Sequence, residues 1–260
     1  MWTPANSFTG VERGDHYNIG MTDADALMQA ILAHPADDLP RLVYADWLDE
    51  SGEPVAVARA EFIRVQCELT RLEDRPARSI PPEQMLSLRT RERTLQSKYG
   101  EAWLDPLRQR GEPLFSPRSH GLFRRGFVEV VWMPAGQFLW KAEKLFTRTP
   151  VRELRVTLTT LDELAELMHS PHLANLATLD LSDRKLGDRV SFEVVRSPFL
   201  RGLQHLRLKA CALTDTGAGD LAGSRLASTL AKLEVPWNHF TELGKQELLR
   251  AFGDRLAIDG

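Results

Sequence analysis

Residues 203–213 read LQHLRLKACAL, and two other stretches keep the same frame: LATLDLSDRKL over 176–186 and LAKLEVPWNHF over 230–240. A looser copy, VRELRVTLTTL, occupies 151–161. Apolar residues hold the first, fourth, sixth and last places of the frame in nearly every copy. Cys211 and Asn238 hold the ninth place, where Thr159 and Arg184 depart from the pattern. The fourth-place leucines Leu154, Leu179, Leu206 and Leu233 are 25, 27 and 27 residues apart, and Ser170, Ser197 and Ser224 recur at 27. Brief apolar alternation at such a period predicts one strand per unit. The stretches between the strands are 135–148, 161–169, 188–196, 214–222 and 241–252, with 127–132 (FVEVVW) as the opening strand.

The frame and its period resemble the ribonuclease-inhibitor-like class of leucine-rich repeats. That resemblance covers about half the chain and implies units that pair a strand with a full helix, making 135–148, 161–169, 188–196, 214–222 and 241–252 the candidate helices. Such a unit cannot bury its own apolar face, so adjacent units must stack into a curved parallel sheet with outer helices, an α/β fold forming a short solenoid over 121–260. It also implies that Cys211 and Asn238 satisfy backbone groups as the chain leaves each strand, and that the turns at Thr159 and Arg184 are looser. His169 and His172 form an HxxH in an inter-unit turn. Phe199 and Leu226 stand where His172 would recur, so no metal site is expected there.

In a strand of this pattern the leucines point inward and the residues between them face the other side of the sheet. The residue between the two central apolar positions is Glu129, Arg155, Asp180, Arg207 and Glu234 in successive units, alternating in sign. Strands about 4.8 Å apart allow cross-strand charge pairs, so such a ladder can be largely self-neutralising. His205, Lys209, Lys232 and Trp237 gather beside Arg207 on the last two units. An aromatic among basic groups is a common interface composition. The alternative for Trp237 is packing beneath the last helix.

The half before the repeating frame is helical in pattern. Thr22 caps a helix with Asp23 and Asp25 in its first turn, and Pro35 ends it. Further helices are expected over 39–50, 54–72 and 82–99, followed by a short segment carrying Trp103, Leu104 and Leu107. Residues 1–20 read as a flexible leader, leaving Met21 as a possible natural start, with breaks over 75–82 and 111–120. The cluster Asp46, Asp49 and Glu50 reads as a solvated face with Asp46 paired to the following helix. Cys67 reads as a small core residue, since no base accompanies it. The apolar excess on the second and third helices predicts packing against the first unit of the sheet.

Residues 21–72 resemble the short repeat-companion domain of bacterial proteins, known chiefly from planctomycetes. The resemblance is carried by RLVYADWL (41–48), Gly52 with Pro54, and RAEFIRVQCEL (59–69). It implies a helical module over 21–110 placed ahead of leucine-rich repeats, and it brings no catalytic residues.

Composition narrows the remaining choices. Apolar residues at 43% and charged residues at 27% argue against wholesale disorder, and no apolar run is long enough for a membrane helix or secretory signal. Two cysteines make neither a disulfide framework nor a four-thiolate zinc site, in keeping with a cytoplasmic protein. Net charge of −3 argues against a nucleic-acid coat, although 54–125 carries fourteen bases against nine acids. Common catalytic motifs are absent, so no catalytic residue, cofactor or metal is expected. The expected function is non-enzymatic binding of a protein partner through the sheet face, with Arg155, Asp180, His205, Arg207, Lys209, Lys232, Glu234 and Trp237 as binding residues. The alternative is a regulator of a partner enzyme such as a GTPase. Nucleic-acid binding and cysteine-dependent ligation are remote readings.

Overall fold

The computed structural model describes residues 22–73, 75–76, 81–104, 123–158, 160–183 and 185–259. The expected leader, the break at 111–120, Leu107, Thr159 and Arg184 lie outside them. Four helices come first: α1 (Asp23–Ala33), α2 (Leu39–Glu50), α3 (Pro54–Glu73) and α4 (Pro82–Leu104). Thr22 caps α1 through a capping box with Asp25, as its sequence predicts. The fourth helix runs further than expected, because Trp103 and Leu104 are buried on its last turn and not in a separate segment.

A two-stranded hairpin follows, β1 (Phe123–Arg124) and β2 (Phe127–Val128), turning through Arg125 at φ 48° and Gly126 at φ 84°. Successive left-handed residues are the tight hairpin turn, and Gly supplies the second at no steric cost. The expected single strand over 127–132 is therefore two strands separated by Glu129. The second, β3 (Val130–Pro134), opens a six-stranded parallel sheet with β4 (Glu153–Thr157), β5 (Thr178–Asp180), β6 (His205–Arg207), β7 (Lys232–Glu234) and β8 (Leu256–Ala257). Spatial order equals chain order.

The intervening helices are α5 (Ala135–Arg148), α6 (Leu161–Met168), α7 (Arg189–Arg196), α8 (Asp215–Ala222), the short α9 (Leu226–Thr229) and α10 (Glu242–Phe252). Each of α5–α8 and α10 begins or ends within a residue of its expected bounds. Register places Leu154, Leu179, Leu206, Leu233 and Leu256 side by side, and the first four are fully buried with the inner faces of the helices in one continuous core. The fold is mixed α/β with an N-terminal helical region.

Two ladders tie neighbouring units together. Asn238 accepts from the backbone N–H groups of Cys211 and Leu213, both at 3.0 Å, and donates to the carbonyls of Leu208 and Val235 at 2.8 Å. The Cys211 thiol donates to the Leu181 carbonyl at 3.4 Å. Both residues thus satisfy strand-exit backbone groups. On the helix side, Asp188 accepts from the backbone N–H and hydroxyl of Thr214, the cap of α8, and Asp215 does the same for Thr241, the cap of α10. Gly217 and Gly244 leave the room: a Cβ there would stand 2.6 Å from Asp188 Oδ1 and 2.2 Å from Asp215 Oδ1.

The helical region grips the hairpin. The third helix reaches the sheet's core as its apolar excess predicts, joined by the fourth. The apolar side chains of the second instead pack with Ile31, Ala60, Ile63 and Phe127 in a separate cluster. Phe62, Leu95, Trp103 and Leu104 share the sheet's core with Phe123, Val128 and Val131. Arg41, fully buried, pairs with Glu129 at 2.6 Å and donates to the carbonyls of Pro35 and Arg125. Arg59 donates to the Gly126 carbonyl and lies against the rings of Trp103 and Phe127. Gln66 accepts from the Gly126 N–H at 2.7 Å and donates to the Phe123 carbonyl. The segments 41–48 and 59–69 are therefore the walls of a socket for the turn 123–127.

Candidate functional site

The side of the sheet opposite the leucines carries two rows of side chains, the first of them buried at Val130, Glu153 and Thr178. One row runs Val130, Glu153, Thr178, His205, Lys232, and the other Trp132, Arg155, Asp180, Arg207, Glu234, Ala257. The expected charge ladder Arg155, Asp180, Arg207, Glu234 is in register, but Glu129 does not begin it. The hairpin uses up residues 123–128, so the chain enters the sheet later and Trp132 stands beside Arg155. Glu129 is instead buried between Arg41 and Arg125. Burial pushes its carboxyl upward against the pull of both guanidinium groups.

The ladder does not pair simply along its own row. Its two arginines converge on Glu153: Arg155 Nε at 2.8 Å and Arg207 Nη1 at 2.9 Å share Oε1, while Arg124 from the hairpin meets Oε2 at 2.9 Å. Burial would raise the Glu153 carboxyl, but the Arg155 hydrogen bond and the charges of Arg124, Arg155 and Arg207 hold it below the ordinary glutamate value. Arg207 also reaches Glu234 at 3.5 Å and Asp180 at 4.0 Å, and Lys232 pairs with Glu234 at 2.9 Å. Burial lowers the Arg207 guanidinium, yet Glu153 and its neighbours raise it overall.

Trp237 does not pack beneath the last helix. It is 59% exposed, at φ 58°, with the Lys209 ammonium 4.0 Å from its ring centroid. Trp132, at the other end of the sheet, is 60% exposed. Between Trp132, Arg155, Thr157, Asp180, Ser182 and Asp183 lies a cavity of about 240 Å³. The structure thus brings Arg155, Asp180, His205, Arg207, Lys232 and Glu234 onto one face and sets Lys209 with Trp237 in the turns beyond it. Glu153 and Trp132 were missed. Applying the two-residue alternation to both flanks of the central leucine, which equates Glu153 with Thr178, His205 and Lys232, would have found Glu153.

Other suggestive groups are absorbed by packing. Arg64 pairs with Asp46 and Asp49, both at 2.6 Å. Cys67 is buried, and burial pushes its thiol up to about 12, far from thiolate chemistry at neutral pH. His169 meets the Ala165 carbonyl and His172 stacks on Phe146. A larger cavity of about 820 Å³ lies between α3, α4 and the hairpin, where Arg89 bridges Glu73 and Glu92 and Gln66 donates to Glu92. Among the described residues no group of three or more His, Cys, Asp or Glu side chains could hold a metal ion, and no helix is long and apolar enough to cross a membrane. No protein-family model matches the chain, and no curated protein matches its sequence.

Proposed function

We propose that the chain is a non-enzymatic recognition protein, a short leucine-rich-repeat solenoid whose outward sheet face binds a protein partner. In this reading residues 21–110 form a repeat-companion domain that caps the solenoid through the hairpin socket. The observation that carries it is the outward face itself: two rows of registered polar side chains with an exposed tryptophan toward each end. Large exposed aromatics beside arginine are the residues that contribute most when desolvated at an interface. The two cysteines are buried and form no disulfide, which fits a cytoplasmic setting.

Affinity capture from lysate with the intact chain and a Trp132→Ala/Trp237→Ala variant tests this. Both rings are exposed, so the variant keeps its far-UV spectrum. A partner held by the parent and lost by the variant supports the reading. Equal retention by both would remove the face from consideration.

A further inference from the structure

The outward face is layered by charge. The side chains of Arg124, Arg155 and Lys232 are 51%, 47% and 49% exposed, whereas Glu153, Asp180 and Glu234 are 2%, 18% and 27% exposed. An approaching molecule therefore meets Arg124, Arg155 and Lys232 first, while Arg207, 25% exposed, lies at the level of the carboxylates. Five cations (Arg124, Arg155, Arg207, Lys209, Lys232) stand against four acids (Glu153, Asp180, Asp183, Glu234), a local surplus of one in a chain whose net charge is −3. Three of the five share the single carboxylate of Glu153. Arg207 has Asp180 and Glu234 within reach as well. Arg124 and Arg155, each about half exposed, pair here with Glu153 and keep outward N–H groups that charge-assisted bonds to further carboxylates would complement.

We propose that the partner lays an extended acidic peptide segment across strands β4 to β7, its carboxylates meeting Arg155, Arg207 and Lys232. The proposal rests on reading this face as the recognition surface. The dimensions agree. Three strand steps from β4 to β7 cover about 14 Å, and alternate side chains of an extended peptide are about 6.7 Å apart, so two such steps span the distance. A nucleic-acid backbone fits less well. Asp180 and Glu234 occur on every second strand in register with the arginines, and would oppose a continuous line of phosphates while leaving room for spaced carboxylates.

The test titrates the intact chain against a labelled oligo-glutamate peptide, an oligo-lysine peptide and a single-stranded oligonucleotide by fluorescence anisotropy. Oligo-glutamate is expected to bind, to weaken as salt rises, and to weaken about tenfold or more in an Arg155→Glu/Lys232→Glu variant. Arg196→Glu, an exposed reversal on α7, is expected to leave binding unchanged. Preference for oligo-lysine, equal weakening by Arg196→Glu, or no oligo-glutamate binding at low salt would each overturn the proposal. Tighter binding of the oligonucleotide would replace it with nucleic-acid recognition. If the tryptophan variant loses its captured partner but oligo-glutamate does not bind, the face stands and only the acidic partner falls. If both tests fail, the reading of the face falls with it.

Discussion

Glu153 and Glu129 are both buried carboxylates among arginines, yet their carboxyls are displaced in opposite directions. Glu153 lies below its unfolded value, so its contribution is complete above the ordinary carboxylate range and is lost as pH falls through the folded value. Glu129 lies above its unfolded value, so its contribution is largest in acid and declines as pH rises through the folded value. Glu153→Gln is therefore expected to cost about 2 kcal/mol at neutral pH and to flatten the fall in Tm on acidification. Thermal melts across the acid range check both, and an unchanged acid slope would show that Glu153 is not the responsible group. Gly126 is a second sensitive residue. A Cβ there would stand 2.1 Å from Ile63 Cγ1 and 2.9 Å from Ile63 Cα. Gly126→Ala is expected to destabilise by about 3 kcal/mol or more, read by urea unfolding.

Strands and helices of the later half were legible because a fixed apolar frame repeats there with little noise. The misplaced element was FVEVVW, a run with no partner copy to align against. Arg125 and Gly126 just before it are a hairpin turn, and reading the turn first would have shifted the strand onto Val130. The helix-side ladder of Asp188 and Asp215 was equally unread, since its signal is a Thr with a Gly three residues on, at 214 with 217 and 241 with 244. Asn238 offers the sharpest test at this scale. Asn238→Ala leaves the backbone N–H groups of Cys211 and Leu213 unpaired and is expected to cost about 2–3 kcal/mol. Asn238→Asp keeps the acceptor without the donors, so chemical denaturation should place it between the parent and the alanine variant.

At the scale of the molecule, one core runs from Phe62 and Trp103 through Val131 to Phe252. The apolar surplus of the third helix announced contact with the sheet, while that of the second is spent on its helical neighbours and Phe127. No pattern could announce that Arg41, Arg59 and Gln66 close on backbone groups of a turn far along the chain. Such contacts depend on a fold already formed. The shared core predicts a single calorimetric transition, with helix and near-ultraviolet signals lost together; two separated transitions would show that the socket contributes little. Arg41→Met is expected to lower that transition strongly. It strands the buried Glu129 carboxylate with Arg125 alone, a loss of about 3 kcal/mol.

Asp183, Ala210 and Trp237 occupy the same place in successive units, and all three adopt left-handed backbone. For a tryptophan that conformation costs about 1–2 kcal/mol. Its contact with Lys209 returns only about 0.5–1 kcal/mol. Glycine at this place would relieve the larger quantity and forfeit the smaller, so heat alone is a selective force against the indole. A library of variants screened for survival at high temperature should drift away from Trp237, whereas a library screened for binding should retain it.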